Sequence, residues 1–103
     1  MKTAMDYARQ ALRFAILSGV DADYARKTWL HWYERGVEQR SRPVIHGVAR
    51  YIEESARDDT RHAASRAKMA RRGEPLMGFD SKEVAIGAAK AAAFSAGLLG
   101  YEL

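Results

Sequence analysis

Residues 21–35, DADYARKTWLHWYER, decide how this chain is read. Ala22, Ala25, Trp29 and Trp32 follow one another at the three- and four-residue steps of a single helical face. Leu30 and Tyr33 widen that face, and Tyr24 adds a ring on its flank. An aromatic helix of this kind needs other helices to bury it, yet 103 residues enclose only one modest core. The stretch therefore predicts a helical fold in which part of the face made by Trp29, Leu30, Trp32 and Tyr33 contacts another protein chain.

Upstream, Thr3 reads as the N-cap of a first helix over residues 4–18, with Asp6 near the positive end of its dipole. Ala4, Ala8, Ala11 and Ala15, joined by Tyr7, Phe14 and Leu17, form its apolar stripe. Gly19 stops this helix and Asp21 caps the next, so the two are joined by a tight turn. Helix two is expected to run from 21 to 35 and close at Gly36, with VEQRSR as a polar connection.

Downstream, Pro43 suits the first turn of a third helix. Ile45, Ala49, Ile52, Ala56, Ala63, Ala67 and Ala70 keep one helical phase, with Thr60 in the missing step. That predicts one continuous helix over 43–72, whose weak points are Gly47 and the pair Asp58–Asp59. Gly73 stops it. Phe79, Asp80, Glu83 and Val84 then give a capping-box-like acidic pair with a hydrophobic staple, opening a fourth helix over 81–97. In that helix Gly87, Ala91 and Ser95, beside Ala88 and Ala92, make a small-residue face suited to tight packing. The whole is one all-α domain, residues 1–103, of four helices: a short N-terminal hairpin, one long third helix and an Ala-rich fourth.

Composition narrows the function classes. The chain has no cysteine, which removes disulfides, thiolate nucleophiles and Cys-based zinc sites and fits a cytoplasmic protein. Asp6, Arg9 and Arg13 interrupt any signal-peptide core near the N-terminus, and Lys90 breaks the most apolar stretch, so no membrane association is expected. His31, His46 and His62 fall on different elements or faces. Asp58 and His62 alone have the one-turn spacing of a metal pair, without a third ligand. Neither a nucleophile elbow nor a glycine-rich phosphate loop is present, so catalytic residues, metal and cofactor are all expected to be absent and the chain is read as no enzyme.

The net charge of +4 is concentrated in one place. Six basic residues lie between Arg57 and Arg72 against Asp58 and Asp59, and the rest of the chain is balanced. On a helix Arg57, Arg61, Lys68, Arg71 and Arg72 share a stripe that could meet phosphates or an acidic protein surface. A solvated face held by pairs such as Asp58 with His62 or Glu53 with Arg57 explains the same residues. Phe14, Ala15, Gly19, Val20 and Ala25 also fit the pattern of a DNA-binding helix-turn-helix. Against it, Thr28 stands where an apolar residue is usual, and Asp21 and Asp23 would point carboxylates at phosphate. DNA binding is therefore the second reading, behind a protein interface built on aromatic and arginine residues.

In overall character (short, helical, cysteine-free, rich in Arg and Ala, with the WLHWY patch) the chain resembles the small helical antiactivators that bind LuxR-type quorum-sensing regulators. The residues are read as a non-enzymatic, homodimeric interaction module that covers a surface of another protein, and the resemblance implies that this surface is the dimer interface of a transcriptional regulator, occluded by helical apolar surface. It assigns no role to any residue.

Overall fold

A computed structural model of the chain describes residues 2–40, 46–73 and 81–103. It contains four helices, α1 (Ala4–Leu17), α2 (Ala22–Gln39), α3 (His46–Arg72) and α4 (Ser81–Leu99), and no strand among the described residues. The third is the longest, about 40 Å at about 1.5 Å per residue. It runs unbroken through Gly47 and Asp58–Asp59. Its expected start at Pro43 and the Phe79–Asp80 half of the α4 capping signal lie outside the described residues.

Local chemistry sets the ends of α1. The Thr3 side chain accepts from the Asp6 amide while the Asp6 carboxylate accepts from the Thr3 amide, so a capping box closes the first turn. At the other end, Gly19 (φ 103°) allows its own amide to reach Ile16 O and that of Val20 to reach Ala15 O. This double return satisfies carbonyls that α1 would otherwise leave open. Asp21 then caps α2 by accepting from the Tyr24 amide at 3.0 Å.

α1, α3 and α4 pack on one another, and α2 lies outside this trio, leaning mainly on α4. α1 and α3 run in the same direction, with Tyr7 beside Thr60 and Phe14 beside Ala67. So do α2 and α4, which approach at Gly19 and Lys82 at one end and at Gly36 and Gly97 at the other. The core between them is made largely of alanine, including Ala8, Ala11, Ala15, Ala63, Ala89 and Ala92. Small side chains bury little area each, but they let helix backbones come close.

Three hydrogen bonds tie this thin core together. Trp29 Nε1 donates to Ala8 O at 2.9 Å, joining α2 to α1. Thr60 Oγ1 lies 2.8 Å from Tyr7 O and 2.9 Å from Ala56 O, so its single proton serves either α1 or its own helix. The Tyr33 hydroxyl donates to Tyr101 O at 2.6 Å. Tyr101 is held there by a second glycine stop: Gly100 (φ 84°) turns the chain after α4 so that the Tyr101 amide reaches Ala96 O.

Two boundaries within the described residues differ from the sequence expectation by two residues or more. α4 continues to Leu99 and is ended by Gly100. α2 does not close at Gly36 but runs to Gln39. Gly36 sits inside the helix because that is where α2 meets α4. A Cβ built on it would lie 2.2 Å from Phe94 O, and one on Gly97 would lie 2.2 Å from Tyr33 O. The glycine marks a contact between backbones, which reads in a sequence like a stop.

Candidate interaction surface

The four aromatic and aliphatic residues expected to form one contact face are separated by the fold. Trp29 and Tyr33 point into the core, 6% and 8% exposed, with their rings stacked at 5.8 Å and both polar atoms already hydrogen-bonded. Trp32 and Leu30 stay open, at 38% and 39%. Being two residues apart, these two are separated by about 200° around the helix. They therefore edge α2 on opposite sides and do not share a surface. Leu30 shares its edge with exposed Val37, whereas Trp32 stands on the edge beside α4.

The Trp32 edge borders a hollow. α2 and α3 flank α4 without packing on each other, which leaves a strip of α4 open between them. Trp32 meets Phe94 of α4 edge to face, with ring centroids 6.4 Å apart. His31 packs edge-on against Trp32 from the solvent side at 5.9 Å. Gly87, Ala91 and Ser95 supply the small side chains beneath, and Ser55 and Asp59 of α3 stand opposite Trp32. Together they enclose about 430 Å³. The small-residue face read from the sequence is thus only partly used for packing inside the chain: Ser95 is buried, while Gly87 and Ala91 are exposed.

Electrostatics in the hollow are sparse. Burial raises the Asp59 carboxyl above its ordinary value, with Asp58 adding to the rise and His62 working against it. Lys90 lines the same hollow, and no ion pair joins it to Asp59. The site is a mostly apolar depression with one strained acid and one base on its lining, the character of a contact for protein side chains.

The basic stripe is present on α3, but its members are unequal. Arg61, Lys68, Arg71 and Arg72 are exposed, while Arg57 is half-buried and its Nε makes no hydrogen bond. Arg57 and Arg61 both turn toward the Asp58 carboxylate, at 3.9 and 3.8 Å, long and exposed contacts of little energetic weight. Glu53 is not paired with Arg57. Its carboxylate accepts from the Tyr101 hydroxyl at 2.5 Å, a bond that pushes the phenol up to about 12, with burial adding to it. Lys68 and Arg71 also border a second cleft, about 480 Å³, between the ends of α1 and α3 next to Phe14 and Leu17.

No group of three metal-binding side chains gathers among the described residues, and none of the described helices is long and apolar enough to cross a membrane. Phe94, Asp59 and Lys90 belong to the hollow but were not among the contact residues expected from the sequence. Phe94 could have been anticipated from its i+3 and i+7 relation to Ala91 and Gly87, whereas Asp59 needs the relative placement of α3 and α4. Comparison with known protein families, curated proteins and solved structures finds no match to this chain.

Proposed function

We propose that this chain is a non-enzymatic regulatory interaction module that binds another protein through the hollow beside Trp32 and thereby covers a surface of that partner. One observation carries the reading. α4 has only Lys82, Glu83 and Lys90 as charged residues over 19 positions, yet it keeps Gly87 and Ala91 open to solvent next to a 38%-exposed tryptophan. A helix apolar around most of its circumference ordinarily has neighbours on every side. Here the side between α2 and α3 has none among the described residues. A partner helix offering one or two large apolar side chains fits the hollow, with Trp32 and Phe94 as anchors.

The resemblance to antiactivators supplies the partner class: a transcriptional regulator whose own helical dimer contact would be covered. The contact set in this reading is Trp32 with Phe94. Trp29 and Tyr33 lie in the core and are not part of it, and Leu30 lies on the far edge.

Affinity capture from the native cell, run with and without nuclease, tests the proposal. Wild-type chain should retain a protein partner at both low and high salt, and Trp32→Ala should lose it. If only nucleic acid is recovered, and its retention falls steeply as salt rises, the basic stripe of α3 is the operative surface and the proposal fails.

A further inference from the structure

Three glycines inside helices can be compared by what surrounds them. Gly36 and Gly97 each lie against the backbone of the opposite helix, where no side chain fits. Gly87, in the middle of α4, has nothing within 4 Å of where a Cβ would be. A mid-helix glycine costs about 1 kcal/mol relative to alanine. At Gly36 and Gly97 close packing accounts for that cost, and at Gly87 nothing among the described residues does.

Gly87 also stands between two charges. Glu83 precedes it by one turn and Lys90 follows it by one, on the same side of α4. Neither has an ion pair among the described residues. The midpoint of Glu83 and Lys90 falls beside Gly87. If a second α4 is laid antiparallel on the first about a two-fold axis at that point, Glu83 of each copy meets Lys90 of the other. The two glycines then come together at the centre. A parallel register would instead set Glu83 against Glu83. An occupant of this strip must offer a base opposite Glu83, an acid opposite Lys90 and a small residue between them. This chain carries that pattern itself.

We propose that the first three turns of α4 form a self-pairing surface, on which two copies of this chain associate through antiparallel α4 helices centred on Gly87, with reciprocal Glu83–Lys90 pairs. The proposal rests on the reading that the open side of α4 is an interaction surface, and it names one occupant. The hollow beside Trp32 includes Gly87, Lys90 and Ala91, so self-pairing and capture of another protein compete. The dimer is then the form that persists until a partner displaces one copy.

Charge exchange provides the test, read by sedimentation equilibrium from micromolar to millimolar protein, with circular dichroism to verify helix content. Wild type should dimerise. Glu83→Lys and Lys90→Glu, each alone, should weaken the dimer by about tenfold or more, since both symmetric pairs become repulsive. Mixing these two variants should restore association as a mixed dimer, and the double variant should pair with itself. Gly87→Leu should keep its helix content and, at a dilution where both proteins are monomeric, melt close to wild type because the position is open, yet remain monomeric at concentrations where wild type dimerises. A wild type that stays monomeric throughout, single reversals that dimerise like wild type, or a mixture that fails to associate would each overturn the proposal. Loss of partner capture in Trp32→Ala is scored separately, so a monomer that still captures its partner through Trp32 defeats self-pairing alone.

Discussion

Gly36 and Gly97 occupy matched positions on two parallel helices. Each lies against the carbonyl of the residue three places before the other, Phe94 for Gly36 and Tyr33 for Gly97. The contact thus fixes where Trp32 stands relative to Phe94, and with it one side of the hollow. A methyl group at either glycine would sit 2.2 Å from a backbone oxygen that cannot turn aside. Gly36→Ala and Gly97→Ala should therefore each destabilise by about 1–3 kcal/mol despite their better helix propensity. Gly87→Ala should stabilise the monomer by up to about 1 kcal/mol. Urea denaturation of the three variants checks the opposite signs, and equal effects at all three positions would contradict the crossing.

The two tryptophans, three residues apart, should behave as different classes of side chain. Trp29→Ala removes a buried indole and its bond to Ala8 O, at a cost of about 3–5 kcal/mol. Trp32→Ala should cost about 1–3 kcal/mol, less than Trp29→Ala, and leave the fold intact, because its ring is partly solvated and its main neighbour is one edge of Phe94. Iodide quenching separates them without altering the fold. In Trp29→Phe the remaining Trp32 should be readily quenched, and in Trp32→Phe the remaining Trp29 should be protected.

These contrasts show which parts of the architecture could be read in advance. Thr3, Gly19 and Asp21 act through neighbours within a few residues, so the ends of α1 and the start of α2 were legible. The alanine phase of α3 was legible for the same reason, and Thr60 kept its place in it. The Trp29–Leu30–Trp32–Tyr33 face was legible only as helix. Periodicity grouped residues that the fold divides among a core, an edge and an opposite edge, because a broad apolar arc does not announce which neighbour will cover it. Gly100 carries the same local stop as Gly19, but the expected end of the helix at residue 97 falls short of it. Gly36 reads as a stop because its contact with Phe94 lies far away in sequence. Asp59 joined the hollow for a similar reason, since its neighbours come from α2 and α4.

Tyr101 closes the open end of the bundle: its carbonyl accepts from Tyr33 and its hydroxyl donates to Glu53. Tyr101→Phe keeps the ring and loses the second bond, so it should destabilise by about 1 kcal/mol, the low end for a bond to a charged acceptor at a half-exposed site. The phenol stands at about 12 in the folded chain against 10.0 ordinarily. The folded state therefore holds this proton more tightly than the unfolded state does. Its contribution is fully present below pH 10 and is lost as pH rises toward 12. The stability difference between wild type and Tyr101→Phe, followed by denaturation from pH 8 upward, should shrink across that interval. A difference that does not depend on pH would mean that the bond to Glu53 contributes nothing.

Asp59 gives the opposite kind of acid dependence from Asp6. Hydrogen bonds from the Thr3 amide and hydroxyl hold Asp6 below its ordinary value, so its stabilising contribution is present at neutral pH and fades as acid titrates it below 3.8. Asp59 is raised by burial, so the folded state takes up its proton before the unfolded state does. Between the ordinary value of 3.8 and its raised folded value, stability must fall as pH increases, and ionised Asp59 remains a burden at pH 7. Asp59→Asn should therefore raise the melting temperature at pH 7 and have little effect well below pH 3.8. Asp6→Asn should lower it at pH 7, and its effect should also disappear in acid. Thermal melts of both variants at pH 7 and at low pH provide the check. If Asp59→Asn destabilises at pH 7, the carboxylate has a favourable partner across the hollow, and the apolar character assigned to that surface is mistaken.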